Sequence, residues 1–208
     1  MPCSTGRHAA IFRQSKTWAQ EAKQMQIIIL PGIGGSGGSH WQSRWQAEDP
    51  SMRRFRPGDW DQPDLADWIA ALDLEVERSS APPILAAHSL ACLLVAHWAA
   101  KSRRRVAGAF LVAVPDPGSS VFPAEARGFA AVPGRRLPFP SLVVASTNDP
   151  YGSMESVEAR AADWGSRVVV AGPLGHINGQ SGLGDWPAGR ALLADFAAAA
   201  SGDTVVTV

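Results

Sequence analysis

The most constraining feature of this chain is a regular alternation. Short apolar runs, each cut off by a turn-forming or polar loop, trade places with longer stretches of helical spacing. Ile27–Leu30 runs into Pro31-Gly32, and Ile84–Ala87 stops at His88-Ser89. Val106–Val114 ends in Pro115-Asp116-Pro117-Gly118, and Leu142–Ser146 is followed by Asn148-Asp149-Pro150. Arg167–Val170 leads into Gly172-Pro173-Leu174-Gly175-His176. A run that is apolar throughout suits a strand buried on both faces. Between these runs lie five helical stretches. They span about His40 to Glu48, Pro63–Arg78, Leu90–Lys101, Glu155–Trp164 and Pro187–Ala199. In the second, Leu65, Ile69, Leu72 and Val76 share a face, with Asp61 as the expected N-terminal cap. Leu90–Lys101 is almost wholly apolar and predicts a buried helix. Strands alternating with helices imply a mostly parallel sheet of about six strands, with helices on both faces and right-handed crossovers. Residues 115–140 are punctuated by Pro and Gly and read as loop with one short helix.

Composition narrows what such a fold can do. The chain has 208 residues, enough for one domain with a substantial core. Nineteen basic and nineteen acidic residues cancel, which excludes a general nucleic-acid binder, because phosphate binding needs an uncompensated basic face. With 46% hydrophobic and 18% charged residues the chain is too apolar for disorder. Two cysteines, Cys3 and Cys92, exclude a disulfide scaffold and a cysteine-built zinc site, and fit a reducing, cytoplasmic compartment. No apolar run reaches membrane-spanning length, so no membrane partner is expected. Residues 1–24 read differently from the rest. Arg7, Arg13, Lys16 and Lys23 face a single acid, Glu21, and there is no apolar core of a secretory signal. Met25 stands directly before the first strand. We read 1–24 as a leader without function, or Met25 as the natural start, with the domain at 25–200 and a tail at 201–208.

Ligands of parallel sheets bind at the carboxyl ends of the strands. The polar residues standing there are few: the Gly-rich loop from Gly32 to Gly37, Ser89, Asp116, Asp149 and His176. Ser89 lies in Ala87-His88-Ser89-Leu90-Ala91, between a strand and a helix. A nucleophile elbow requires small residues two before and two after the serine, and Ala87 and Ala91 meet that need in place of the usual glycines. The bland alternative is a helix cap, a common role for serine. His176 is the histidine whose place in chain order allows it to reach Ser89. His97 reads as a packed core residue, and His88 is set aside because neighbours on an elbow point apart. Asp149 ends the strand before His176 and can fix its tautomer, with Asp116 in reserve. The order Ser, Asp, His on successive strand ends is that of the α/β-hydrolase fold.

Gly32-Ile33-Gly34-Gly35-Ser36-Gly37 also matches the dinucleotide fingerprint G-x-G-x-x-G after a strand. That motif wants an acid about 20 residues on, ending a second strand. Glu48, Asp49 and Asp59 fill the role poorly. The other reading makes the loop half of an oxyanion hole, with one N–H from Leu90 and the second from Ile33 or Gly34. His40 and Trp41, beside the loop, are candidate substrate-binding residues. Trp45 and Trp68 read as helix packing.

These segments carry a resemblance. ILPGIGGSGGSHWQSRW (ending at Trp45), DWDQPDLADW around Trp60, Asp64 and Trp68, the elbow AHSLA, the loop STNDPYGS and the final GHIN together resemble the small serine hydrolases of the retinoblastoma-binding-protein-9/YdeN family. The resemblance covers nearly all of residues 26–198. It implies a single-domain α/β-hydrolase fold with no large lid, and puts the family's triad on Ser89, Asp149 and His176. The L-x-C-x-E segment for which the family's namesake was known as a pocket-protein ligand corresponds to Leu90-Ala-Cys92-Leu-Leu94, which lacks the Glu, so no such partner is carried over. The expected activity is acyl transfer on a small ester, thioester or amide, with no metal ion and no organic cofactor. A non-catalytic binding module of the same fold and a nucleotide-binding protein are the rival readings.

Overall fold

In the computed structural model, residues 25–201 are described. The leader expected at 1–24, with Cys3 and His8, and residues 202–208 of the expected tail lie outside them. The elements follow the order β1 (Ile27–Leu30), α1 (Trp41–Glu48), β2 (Arg53–Arg54), α2 (Leu65–Glu77), β3 (Ile84–His88), α3 (Leu90–Lys101), β4 (Gly108–Val112), β5 (Ser141–Ala145), α4 (Met154–Trp164), β6 (Arg167–Val170) and α5 (Pro187–Ser201). All six strands pair in parallel, in the order β2-β1-β3-β4-β5-β6. The α/β class, the parallel sheet and the helices on both faces are as the alternation demands.

The runs that form β3, β4 and β5 are apolar because every residue there is buried under a helix layer, whereas edge strand β6 stays partly exposed. Ile28, Leu30, Leu85, Ala87, Ala109, Leu111, Val143 and Ala145 face one core, closed by α2, α3 and α4. Their neighbours Ile29, Ile84, Ala86, Phe110, Val112, Leu142 and Val144 face a second core, closed by α1 and α5. The tryptophans divide between the layers. Trp41, Trp45 and Trp186 pack together under one face, with Trp45 and Trp186 stacked at 5.9 Å. Trp60 and Trp68 meet Phe55 under the other.

Several local expectations are corrected. The cap of α2 is Asp64, which accepts from the Asp67 N–H at 2.8 Å; Asp61 precedes the Pro63 that separates it from the helix. The fourth strand is shorter than Val106–Val114, and β2 had no apolar signal because Arg53 and Arg54 form a two-residue edge. The last helix runs on to Ser201. Within 115–140 the short helix is a 3-10 turn, Ala124–Phe129, anchored on the first core by buried Ala126 and Phe129. Among the described residues no helix is long and apolar enough to cross a membrane.

The strand order sets the position of the site. From β1 the chain moves outward to β2, then returns to β3 on the other side of β1. The β1–β3 boundary is therefore the topological switch point, where the loops leaving adjacent strands diverge and open a crevice. The two loops there are the Gly-rich loop and the turn bearing Ser89.

Candidate active site

Ser89 joins β3 to α3 with φ 54° and ψ −125°, a conformation that a non-glycine residue rarely holds. The surroundings enforce it. The Ser89 N–H donates to the Val112 carbonyl at 2.9 Å, and the Ser89 carbonyl accepts from the Cys92 N–H at 2.8 Å. Flanking Ala87 and Ala91 are fully buried, so larger side chains would force strand and helix apart. The Ser89 side chain makes no helix-cap hydrogen bond. Its Oγ instead lies 2.8 Å from Nε2 of His176. Nδ1 of His176 is 2.9 Å from both carboxylate oxygens of Asp149. The Asp149 carboxylate is almost sealed from solvent and also accepts from the Tyr151 N–H at 2.9 Å. The structure therefore brings Ser89, His176 and Asp149 into one hydrogen-bonded chain. Asp116 is not part of it. Its carboxylate caps its own turn by accepting from the Gly118 N–H at 2.8 Å.

The Gly-rich loop lies against the elbow. A Cβ on Gly32 would sit 3.0 Å from the Ser89 Cβ, 3.2 Å from the His88 carbonyl and 3.4 Å from the Leu90 nitrogen. That contact puts the Gly32–Ile33 peptide beside the first N–H of α3. Of the two loop donors expected from sequence, Gly34 is corrected: its N–H is spent on the Trp60 carbonyl at 3.1 Å. Ile33 and Leu90 line the cavity over Ser89, and no such bond engages the N–H of either among the described residues. Gly32 thus serves the approach of the loop to Ser89. The second strand, where a dinucleotide fold places its acid, carries Arg53 and Arg54.

A family model described as serine hydrolase matches residues 27–195. The chain belongs to the serine hydrolase family. A putative YdeN-like hydrolase from Pectobacterium atrosepticum is 31% identical, covers 90% of this chain and 98% of its own, and superposes with a TM-score of 0.78. The ydeN gene product of Bacillus subtilis is 19% identical over 83% of this chain and 98% of that one, at a TM-score of 0.70. A monoacylglycerol lipase from Paleococcus ferrophilus shares the fold at 11% identity, 83% and 94% coverage and a TM-score of 0.64. Among curated protein sequences none matches the chain. The hydrolase is thus a YdeN-like enzyme, as its motifs suggested.

Over Ser89 this serine hydrolase holds a cavity of about 470 Å³. His40 lines it, as expected. Trp41 does not, and this corrects the expectation that it binds substrate. The i,i+4 spacing to Trp45 turns its ring into the second core, where it is 1% exposed. Its Nε1–H donates to the Ile177 carbonyl at 2.8 Å. His88, set aside from sequence, also lines this cavity; its ring packs edge-on against that of His176 at 4.9 Å and its Nε2–H donates to the His176 carbonyl at 2.9 Å. Complete burial holds its pKa well below the ordinary value, which keeps it neutral. Two successive carbonyls of the histidine loop are therefore clamped by ring N–H groups from β3 and α1. The clamp spans Ile177, whose φ of 46° is strained for a β-branched residue. Asn148 secures the loop from the other side, its Oδ1 accepting from the Gly175 N–H at 2.7 Å. Tyr151, which sequence reasoning missed, packs its ring against that of His176, tilted by 56° at 4.6 Å between centroids. Its position directly after the acid's Asp-Pro turn was the available signal. His97 is buried as expected, and its Nε2–H holds the Phe129 carbonyl at 3.0 Å, tying the 115–140 segment to α3. Cys92 lies behind the elbow, and burial pushes its thiol pKa up, so it is not a nucleophile.

Proposed function

We propose that this serine hydrolase works by acyl transfer through Ser89, His176 and Asp149. Nε2 of His176 takes the Ser89 proton as Oγ attacks the substrate carbonyl carbon. The Asp149 carboxylate accepts the Nδ1–H, fixes the tautomer and stabilises the imidazolium. The N–H groups of Leu90 and Ile33 receive the oxyanion; losing a donor of this type costs about 3–4 kcal/mol of transition-state stabilisation. Collapse of the tetrahedral intermediate breaks the bond to the leaving group, which takes its proton from His176. Water, activated by the same imidazole, then attacks the acyl-enzyme and frees Ser89. The carrying observation is the Ser89–His176–Asp149 chain at 2.8 and 2.9 Å on a strained elbow. A small-molecule ester, thioester or amide is the substrate class. The test is labelling by a fluorophosphonate probe with the adduct located by peptide mass spectrometry. Labelling at Ser89 that disappears in Ser89→Ala is the expected result. A folded wild-type protein that is not labelled would overturn the reading.

A further inference from the structure

The hydrogen bonds of His176 leave one freedom of its ring open. Nδ1 is shared between the two carboxylate oxygens of Asp149, both at 2.9 Å. One N–H on two acceptors is a pivot: it fixes where Nδ1 lies, not how the ring tilts about it. In the free enzyme the bond of 2.8 Å between Nε2 and the Ser89 Oγ sets the tilt. That bond is lost in an acyl-enzyme, where Oγ carries the acyl group and has no proton to give. The clamps on the histidine loop do not replace it, because they hold backbone atoms and a side chain turns about its own χ angles. In the second half of the reaction, the direction of Nε2 therefore depends on what packs against the imidazole.

Two rings pack there. His88 lies 4.9 Å from His176 between centroids, and Tyr151 lies 4.6 Å from it. Tyr151 is tied to the acid as well as to the base. Its N–H donates to the Asp149 carboxylate at 2.9 Å, and its carbonyl accepts from the Asp116 N–H at 2.8 Å. The next residue, Gly152, presses on the chain leaving β4: a Cβ there would sit 2.5 Å from the Val114 carbonyl oxygen. The backbone of Tyr151 is thus anchored without help from His176, and its ring is a fixed wall for the imidazole. The contacts with the pair come from the backbone N–H and the ring; the phenol hydroxyl takes part in neither.

We propose that Tyr151 is a positioning residue for the base: its ring, anchored on the acid's loop, holds the tilt of the His176 imidazole so that Nε2 stays aimed at the water that attacks the acyl-enzyme. The proposal rests on the reading of Ser89, His176 and Asp149 as nucleophile, base and acid. The experiment follows hydrolysis of p-nitrophenyl butyrate by the wild type, Tyr151→Phe and Tyr151→Leu, with fluorophosphonate labelling of the same preparations. The p-nitrophenolate leaves without a proton, so acylation asks little of the base once Ser89 is deprotonated, and deacylation limits kcat. Tyr151→Leu is expected to lower kcat about 10- to 100-fold, the effect of misplacing a reacting group by about 1 Å. KM should fall with it, leaving kcat/KM within about threefold of the wild type. Butyryl-Ser89 should accumulate in acid-quenched samples, read by intact-protein mass spectrometry. Tyr151→Phe keeps the ring and should restore kcat to within about twofold. A wild-type kcat in Tyr151→Leu would overturn the inference. So would an equal loss of kcat and kcat/KM without acyl-enzyme, the mark of a general structural defect or a substrate contact. So would a Tyr151→Phe as impaired as Tyr151→Leu, which would give the role to the hydroxyl. Tyr151→Met, flexible and unbranched, replaces Tyr151→Leu in the same comparison if the latter does not fold. Wild-type protein that is neither labelled nor active overturns the triad beneath, whereas active, labelled wild type with an indifferent Tyr151 overturns this inference alone.

Discussion

Replacing Trp41 with phenylalanine separates two roles for that residue. The indole is sealed in the second core against Trp45 at 4.4 Å and Trp186 at 5.2 Å, and its N–H satisfies the Ile177 carbonyl at 2.8 Å. Phenylalanine keeps an aromatic ring there but has no N–H. Leaving a buried carbonyl unsatisfied costs about 1–3 kcal/mol. The smaller ring leaves a void that adds about 1 kcal/mol. The sum, about 2–4 kcal/mol, corresponds to a Tm about 5–15 °C lower for a domain of this size. Activity should fall for a second reason. Ile177 holds a left-handed φ of 46° only while its neighbours fix it, a strain of about 1–3 kcal/mol. Released from the clamp, the backbone relaxes and carries the His176 imidazole off Ser89. Calorimetry and steady-state kinetics on a neutral ester read both effects. The expected result is a lower Tm with a reduced kcat and little change in KM. An unchanged Tm with a raised KM would mean that the indole contacts substrate, and would refute the clamp.

Two other perturbations follow from the same geometry. Gly32→Ala places a methyl 3.0 Å from the Ser89 Cβ and 3.2 Å from the His88 carbonyl. It should destabilise by about 1–3 kcal/mol in urea titration and lower kcat by displacing Ile33 from the elbow; wild-type values for both would show that the loop does not press on Ser89. The buried histidines predict a pH dependence of stability. Both His40 and His88 have folded pKa values below the unfolded value near 6.5, His40 at about 4. The unfolded chain therefore binds more protons below pH 6.5, and stability present above that pH is lost as it falls toward 4, by up to about 1.4 kcal/mol per pH unit for each histidine. Urea unfolding of His40→Asn between pH 7 and 5 should show a shallower fall than the wild type, and identical slopes would contradict the assigned burial.

How far the sequence determined this protein is clearest at particular residues. The continuous apolar runs determined a parallel sheet covered on both faces, because a run such as Ile84–Ala87 with no polar side can be stable only between two layers. The turn signals after those runs determined that Ser89, Asp149 and His176 stand at strand ends, and the small flanks Ala87 and Ala91 marked the sharp turn. Other features rest on partners remote in the chain, which periodicity does not encode. Arg53–Arg54 became a strand only by pairing with β1 at the edge. Asp149 and Asp116 each close their own turn, on the Tyr151 and Gly118 N–H groups, and only where the two strand ends fall in space decides that Asp149 meets His176. The Gly34 N–H went to the Trp60 carbonyl, and Trp41 turned inward to Ile177. The walls of the cavity depended on where residues 115–140 settle, and that was fixed by Phe129 and Ala126 packing on α3. Local pattern determines which elements form; which N–H remains free, and for what ligand, is decided only when distant segments compete for the same hydrogen bonds.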